Sequence, residues 1–169
     1  MKKFILGLLP LLFLIPAHSQ QWDIQLPEYE VESVTFPYEG QVVDWGVSYL
    51  KSADFWSKSR GQQAIAFILD TGIETNHPDL KDRVLLEYCK DFTGSANGFQ
   101  DAHGHGTHCA GITAASDNAI GVVGNAPQSG IVAIKVLNDQ GSGSFQTVAL
   151  GIRYVADLVL TGQHAGKKK

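Results

Sequence analysis

Ala64-Ile65-Ala66-Phe67-Ile68-Leu69-Asp70-Thr71-Gly72 is the stretch on which the fold turns. Its apolar run does not alternate with polar residues, so it fits a strand covered on both faces, as in a parallel sheet. Asp70 closes the run and Thr71-Gly72 turns the chain. Ile131-Val132-Ala133-Ile134-Lys135-Val136-Leu137 reads as a second buried strand. Between the two lies a run of small residues, Cys109 to Ala115, a poor surface helix but a good buried one that packs closely on a sheet. Beyond Leu137, Gly141-Ser142-Gly143 leads into a helix that Ser144 can cap, with Phe145, Val148, Ala149, Ile152, Val155, Ala156 and Val159 spaced by threes and fours. Strand, helix, strand, helix predicts a three-layer α/β fold on a parallel sheet.

Outward from this centre the signals weaken. Asp44 can cap a helix with Val47, Leu50, Ala53 and Trp56 on one side, ended by Arg60-Gly61. Residues 90–104, rich in Gly, Asp, Ser and Asn, read as loop. Residues 20–43 are polar, acidic and interrupted by Pro27 and Pro37, and read as a short extended N-terminal arm. Residues 1–19 form a third kind of segment. Lys2 and Lys3 precede an apolar run that ends in Ala17-His18-Ser19, the pattern of a secretory signal peptide too short to span a membrane. The expected organisation is therefore a signal at 1–19, an arm at 20–43 and the folded portion at 44–169.

With 44% hydrophobic and 18% charged residues among 169, the composition is globular. The net charge of −4 becomes more negative if the signal and its two lysines are removed, which excludes a basic nucleic-acid surface. Export places the chain outside the cytoplasm, secreted or periplasmic, with no membrane attachment after signal removal. Cys89 and Cys109 are read as two separate thiols, because one pair 20 positions apart is no disulfide framework.

Asp70 lies at the carboxyl end of a buried strand, where open parallel sheets place their sites. Taken alone it is equally a turn-forming Asp. His105 sits in Gly104-His105-Gly106-Thr107-His108-Cys109-Ala110-Gly111, where glycines on either side permit close approach of backbone and substrate. A His opening a helix also meets the helix's positive end, which disfavours a second positive charge on the ring.

Ile68-Leu69-Asp70-Thr71-Gly72-Ile73, His77-Pro78-Asp79-Leu80 and the Gly104–Gly111 segment together resemble the subtilisin-like serine proteases, in the subtilisin and proteinase K branches. The resemblance spans roughly residues 45–160. It implies that Asp70 is the triad acid and His105 the general base, and that the substrate is a protein or peptide. By the same resemblance Cys109 is a mercurial-sensitive thiol near the His and not the nucleophile. Asp101, in the acidic lead-in to His105 where the family often carries Asp, is read as a solvated loop acid ahead of the alternative, a residue that shapes the site rim. Ser116-Asp117-Asn118-Ala119-Ile120-Gly121-Val122 resembles the family's calcium loop. The resemblance makes Asn118 and Asp79 side-chain ligands, and Ser116, Ile120 and Val122 carbonyl ligands, of a structural Ca2+. The family's N-terminal side-chain ligand has no clear counterpart in this sequence. Gly141-Ser142-Gly143 resembles the segment that pairs with an extended substrate as an added strand.

No serine here has the family's Gly-Thr-Ser-x-Ala-x-Pro context. The family's oxyanion Asn and second substrate-binding strand are expected beyond position 169. The resemblance therefore implies an incomplete domain, its C-terminal part missing, that is proteolytically inactive as written and monomeric if complete. Two other readings remain. One is a non-catalytic peptide-binding remnant. The other is a zinc hydrolase, because His103-x-His105-x-x-His108 has the spacing of a metal-ligand motif, although Thr107 stands where that motif wants an acid.

Overall fold

The computed structural model describes residues 23–27 and 40–162. The segment read as a signal peptide, 1–19, lies outside the described residues. In chain order the elements are β1 (Asp23–Gln25), α1 (Trp45–Tyr49), β2 (Ile65–Asp70), β3 (Lys90–Asp91), α2 (His105–Ala114), β4 (Gly130–Lys135), β5 (Ser142–Ser144) and α3 (Phe145–Leu160). Single 3-10 turns at Ser52–Phe55 and Leu86–Tyr88 complete the set.

β2, β4 and β3 form a parallel sheet in that order, with Ile65 opposite Gly130 and Asp70 opposite Lys135. Successive side chains of a strand point to opposite faces, and β4 shows it. Ile131 and Ala133 pack with Ala110 and Ala114 of α2, Ile73 and Leu80. Val132, Ile134 and Val136 pack with Phe67 and Leu69 of β2 and with Val148, Tyr154 and Val155 of α3. Helix, sheet and helix are thus stacked as three layers, the expected α/β class. β4, in the centre, is buried from Ile131 to Lys135, whereas β2 is only half-buried along most of its length because it is paired on one side.

The helices differ from expectation in instructive ways. α2 needs its small residues, with Gly106, Ala110 and Ala114 buried against the sheet. Ser144 does cap α3: its hydroxyl accepts from the Thr147 amide at 3.1 Å while the Ser144 amide donates to the Thr147 hydroxyl at 3.1 Å. The buried face of α3, however, is Gly151, Leu158 and the half-buried Val148, Tyr154 and Val155. Phe145, Ile152 and Val159 are exposed. Gly151 sets this face, since a Cβ there would lie 2.6 Å from Val136 Cγ1, so only a glycine lets the helix approach so closely. Asp44 caps α1, but the helix stops at Tyr49 and Leu50 is exposed. Within the expected loop 90–104, Lys90–Asp91 adds a short parallel strand to β4.

Of the segment 20–43, residues 23–27 and 40–43 are described, and both stretches dock on the folded portion. β1 pairs antiparallel with β5, Ile24 opposite Gly143. Val42 bridges to Val122 in parallel, its amide donating to the Gly121 carbonyl at 2.8 Å. Among the described residues no helix is long and apolar enough to cross a membrane.

Candidate active site

Asp70 leaves β2 at the carboxyl edge of the sheet, 9% exposed, where the turn into Thr71 directs its carboxylate back towards the start of α2. The Thr71 amide donates to Asp70 Oδ1 at 2.7 Å. His105, the first residue of α2, places Nδ1 2.8 Å from Oδ1 and 2.9 Å from Oδ2 of the same carboxylate. A carboxylate only accepts, so Nδ1 carries the hydrogen and Nε2 is left as the basic nitrogen.

The close approach of strand and helix depends on glycine. A Cβ on Gly106 would collide with the Gly72 carbonyl oxygen and come within 3.2 Å of Asp70 Cβ. Gly72 itself has φ of +110°, and a Cβ there would sit 2.5 Å from the Phe99 carbonyl. The Gly106 amide, one of the helix's unpaired N-terminal donors, binds the Thr71 hydroxyl at 3.0 Å.

Asp101 ties these parts together, so of its two readings the site-shaping one fits and the solvated loop acid does not. It accepts from the Thr71 hydroxyl at 2.9 Å, the His103, Gly104 and Thr107 amides at 2.9 Å each, and the Thr107 hydroxyl at 2.6 Å. Partial burial works against its ionisation, but the Thr107 hydroxyl and the Gly104, Thr107 and His103 amides outweigh it and hold the carboxyl below its ordinary range. Lys135, fully buried at the end of β4, lies below. Its ammonium donates to the carbonyls of Thr71 and of Gln100 and pairs with Asp139 at 2.8 Å. A buried charge needs such partners, and here they brace the turn after Asp70. The Lys135 ammonium in turn holds Asp139 below the usual carboxylate range.

Cys109 stands one helical turn after His105, its sulfur 3.8 Å from Nδ1. It is half-buried and unpaired, as is Cys89, in line with the reading of two separate thiols. Burial, followed by the negative charges of Asp70 and Asp101, pushes its pKa up, so it is a thiol at neutral pH and a poor nucleophile. Asp70, His105 and Cys109 are the His, Cys, Asp or Glu cluster that could hold a metal among the described residues. The zinc reading of His103, His105 and His108 is not supported: the His103 and His105 rings meet edge to face at 6.4 Å, His108 is exposed, and the group of donor atoms close enough to share a metal among the described residues includes neither His103 nor His108. His105 Nδ1 is instead taken by the Asp70 carboxylate.

Gly141, Ser142 and Gly143 run along the mouth of this site. A Cβ on Gly141 would come within 2.8 Å of His103 Nε2, and one on Gly143 within 2.5 Å of the Val136 carbonyl. A side chain is thus excluded at Gly141 and Gly143, while the Ser142 hydroxyl donates to Gln25.

The loop after α2 forms a second cluster. Asp79, 4% exposed, accepts from Asn118 Nδ2 at 3.1 Å and the Val122 amide at 3.1 Å. Gly121 is required, since a Cβ would collide with Asp79 Oδ2. Sequence reading found all these residues except Gln41. The Gln41 amide nitrogen faces the carbonyls of Ser116 at 2.6 Å, Ile120 at 3.3 Å and Val122 at 3.2 Å, and Asn118 Oδ1 at 3.4 Å. An amide has two hydrogens and here meets four acceptors, so the cage is richer in oxygen than an NH2 group can satisfy. Turned about its last bond, Gln41 would contribute a further oxygen, and hard-cation ligation wants such a set. The donors fit calcium. Nothing in the local sequence marks Gln41; it is the bridge of its neighbour Val42 to Val122 that carries it to the loop.

The sequence model of the subtilase family matches residues 61–166. Thermitase of Thermoactinomyces vulgaris is 41% identical over 114 residues, 67% of this chain and 40% of that protein. The intracellular serine protease of Paenibacillus polymyxa is 41% identical over 114 residues, 66% of this chain and 35% of its own length. The cell wall-associated protease of Bacillus subtilis (strain 168) is 37% identical over 136 residues, 80% of this chain and 15% of its own. The chain therefore spans well under half of these relatives, whose names include both an intracellular and a wall-associated enzyme. The match runs through Asp70, His105 and the three layers that position them, and the chain belongs to the subtilase family of serine-type endopeptidases.

Proposed function

We propose that Asp70 and His105 are the acid and base of an Asp-His-Ser triad for peptide-bond hydrolysis. The observation that carries this is the two-oxygen contact of Asp70 with His105 Nδ1. It holds the ring in one tautomer and one orientation, and its negative charge stabilises the imidazolium formed when Nε2 takes a proton. A serine hydroxyl positioned at Nε2 would attack the substrate carbonyl as its proton passes to His105. The same proton then goes to the leaving amine, and water repeats the sequence on the acyl-enzyme. None of the 169 residues supplies the nucleophile motif. These residues alone are therefore inactive, since the triad acts as a unit. Residues 1–19 support an extracytoplasmic location, and the backbone of Gly141–Gly143 supports extended peptides as substrates. Gln41, Asp79, Asn118 and the carbonyls of Ser116, Ile120 and Val122 would hold a structural Ca2+, which ties the arm to the loop and takes no part in proton transfer.

The dyad can be tested in this chain without turnover. A hydrogen shared between Nδ1 and a carboxylate gives a strongly downfield proton resonance, expected here and lost in Asp70→Asn. Its absence from the folded wild-type chain would refute the assignment. Nucleotide sequence across and beyond the Lys169 codon, read in three frames, tests the triad. Gly-Thr-Ser-x-Ala-x-Pro supports the protease, and unrelated sequence leaves peptide binding as the function.

A further inference from the structure

Among the described residues Lys135 is the one charged residue with no solvent exposure, and the dyad chemistry makes no use of it. β4 delivers it. Ile131, Ala133 and Lys135 alternate onto the face that α2 covers, and Lys135 stands opposite Asp70 in the ladder. An ammonium has three hydrogens and here meets three acceptors: the Thr71 carbonyl, the Gln100 carbonyl at 3.1 Å and the Asp139 carboxylate at 2.8 Å. The Asp70 carbonyl, one residue earlier, takes the Val136 amide at 2.9 Å and the Leu137 amide at 3.1 Å. The end of β4 therefore grips both peptide groups that flank Thr71, and these set the direction of the Asp70 side chain. On its other side Lys135 reaches the turn that leads into Gly141–Gly143. That turn is closed by the Gly141 amide on the Asn138 carbonyl at 3.0 Å and by the Gln140 and Ser142 amides on Asn138 Oδ1 at 2.9 and 3.0 Å. Asp139 ties it back, to Lys135 and to the Ser95 hydroxyl and the Asn97 side-chain amide at 2.9 Å each.

We propose that Lys135 is a positioning residue for proteolysis, whose ammonium holds the acid of the dyad and the peptide-binding segment in fixed relation to each other. This rests on the reading of Asp70 and His105 as acid and base and of Gly141–Gly143 as the peptide-binding segment. Stability alone does not call for a charge here, because buried ion pairs are often exchanged for apolar residues without loss. An apolar side chain, however, cannot hold oxygens from three separate segments at set distances. Lys135 does so for the turn after Asp70, the loop at Gln100 and the turn at Asp139. It acts through Thr71 on Asp70 and through Asp139 on Gly141, and touches neither reacting atom nor peptide.

The test follows two signals by NMR in the full chain: the downfield Nδ1 proton of His105 and hydrogen exchange of the Gly141 amide. Lys135→Met keeps a stem of similar length without the charge. It is expected to lose or displace the Nδ1 resonance and to speed Gly141 exchange at least ~10-fold by local opening. Asp139→Ala separates the two arms. The Asp139 side chain is 23% exposed, so water can replace its carboxylate and leave the ammonium on its two carbonyls. The Nδ1 resonance is then expected to stay in place while Gly141 exchanges faster. A lower denaturation midpoint in Lys135→Met with the Nδ1 resonance unmoved is what a merely structural charge would give, and would overturn the proposal. Unchanged Gly141 exchange in both variants would overturn it equally. Absence of the resonance from the wild type would remove the dyad reading, and the proposal with it, before any variant is compared. Should far-UV circular dichroism show Lys135→Met unfolded, Asp139→Ala decides alone: faster Gly141 exchange beside an intact Nδ1 resonance supports the link, and unchanged exchange overturns it.

Discussion

Replacing Asp101 by alanine tests whether the start of α2 is held by one carboxylate. The residue accepts five hydrogen bonds, from the Thr71 hydroxyl, three amides and the Thr107 hydroxyl. Hydrogen bonds to a charged group are worth about 1.5–3 kcal/mol each when one is lost, and the cost is greater where the donor stays buried. Water can reach the half-buried His103 and Gly104 amides, so the five do not add. The Thr71 hydroxyl, on a fully buried residue, loses Asp101 but keeps the Gly106 amide as a partner. A net cost of about 2–4 kcal/mol is expected, equivalent to roughly 5–15 °C in midpoint for a domain of this size.

Urea and thermal denaturation, followed by near-UV signal, would measure that cost. Asp101→Asn should recover part of it, since one oxygen still accepts, but the amide hydrogens face donors. The pH dependence gives a second reading. Asp101 ionises more readily in the folded chain than in the unfolded one, so its contribution is complete above the ordinary carboxylate range. It should disappear as the pH falls through that range to the lower folded value, and Asp101→Asn should flatten this acid limb. A loss below ~0.5 kcal/mol in Asp101→Ala, with the acid limb unchanged, is what a solvated loop acid would give. That result would refute the argument.

Gly106→Ala should be worse than a helix-propensity scale suggests. Alanine normally favours a helix by about 1 kcal/mol over glycine, but here its methyl meets the Gly72 carbonyl, so a loss of more than ~3 kcal/mol or of soluble protein is expected in denaturation or expression trials. Calcium should raise the thermal midpoint of the chain and chelator should reverse it, with the response abolished in Asn118→Ala and weakened in Gln41→Ala; an equal response in all three proteins would exclude the cage. Cys109 should react slowly with iodoacetamide at neutral pH and faster as the pH rises, because the thiolate is the reactive form. Asp70→Asn removes one of the charges that suppress that thiolate and should speed the reaction at fixed pH.

What could be read from sequence, and what could not, divides by distance along the chain. The β2 and β4 runs, the small-residue helix between them and the Ser144 cap are local patterns, and each is where it was expected. Asp70 and His105 were legible because each sits in a dense local motif, although only the fold brings their atoms within 2.8 Å. The misreadings concern partners chosen from afar. α3 has apolar residues on two sides, and periodicity alone cannot say which faces inward. The choice falls to Gly151, an absence of side chain that apolar counting ignores, pressed against Val136. Asp101 looked solvated because its sequence neighbours are loop residues. Its environment is made by Thr71, from the turn after another strand, and by a helix start that leaves amides needing an acceptor. Gln41 and Ile24 carry no local signal at all. Each works by joining an edge formed some 75 to 120 residues later, a ribbon of so few pairs that only the tertiary frame stabilises it. The pair proposed as catalytic is thus written in motifs, whereas the groups that hold and bridge its surroundings are written in glycines and short edge strands. Substitutions there should leave Asp70 and His105 in place in the sequence and yet alter what the site can do.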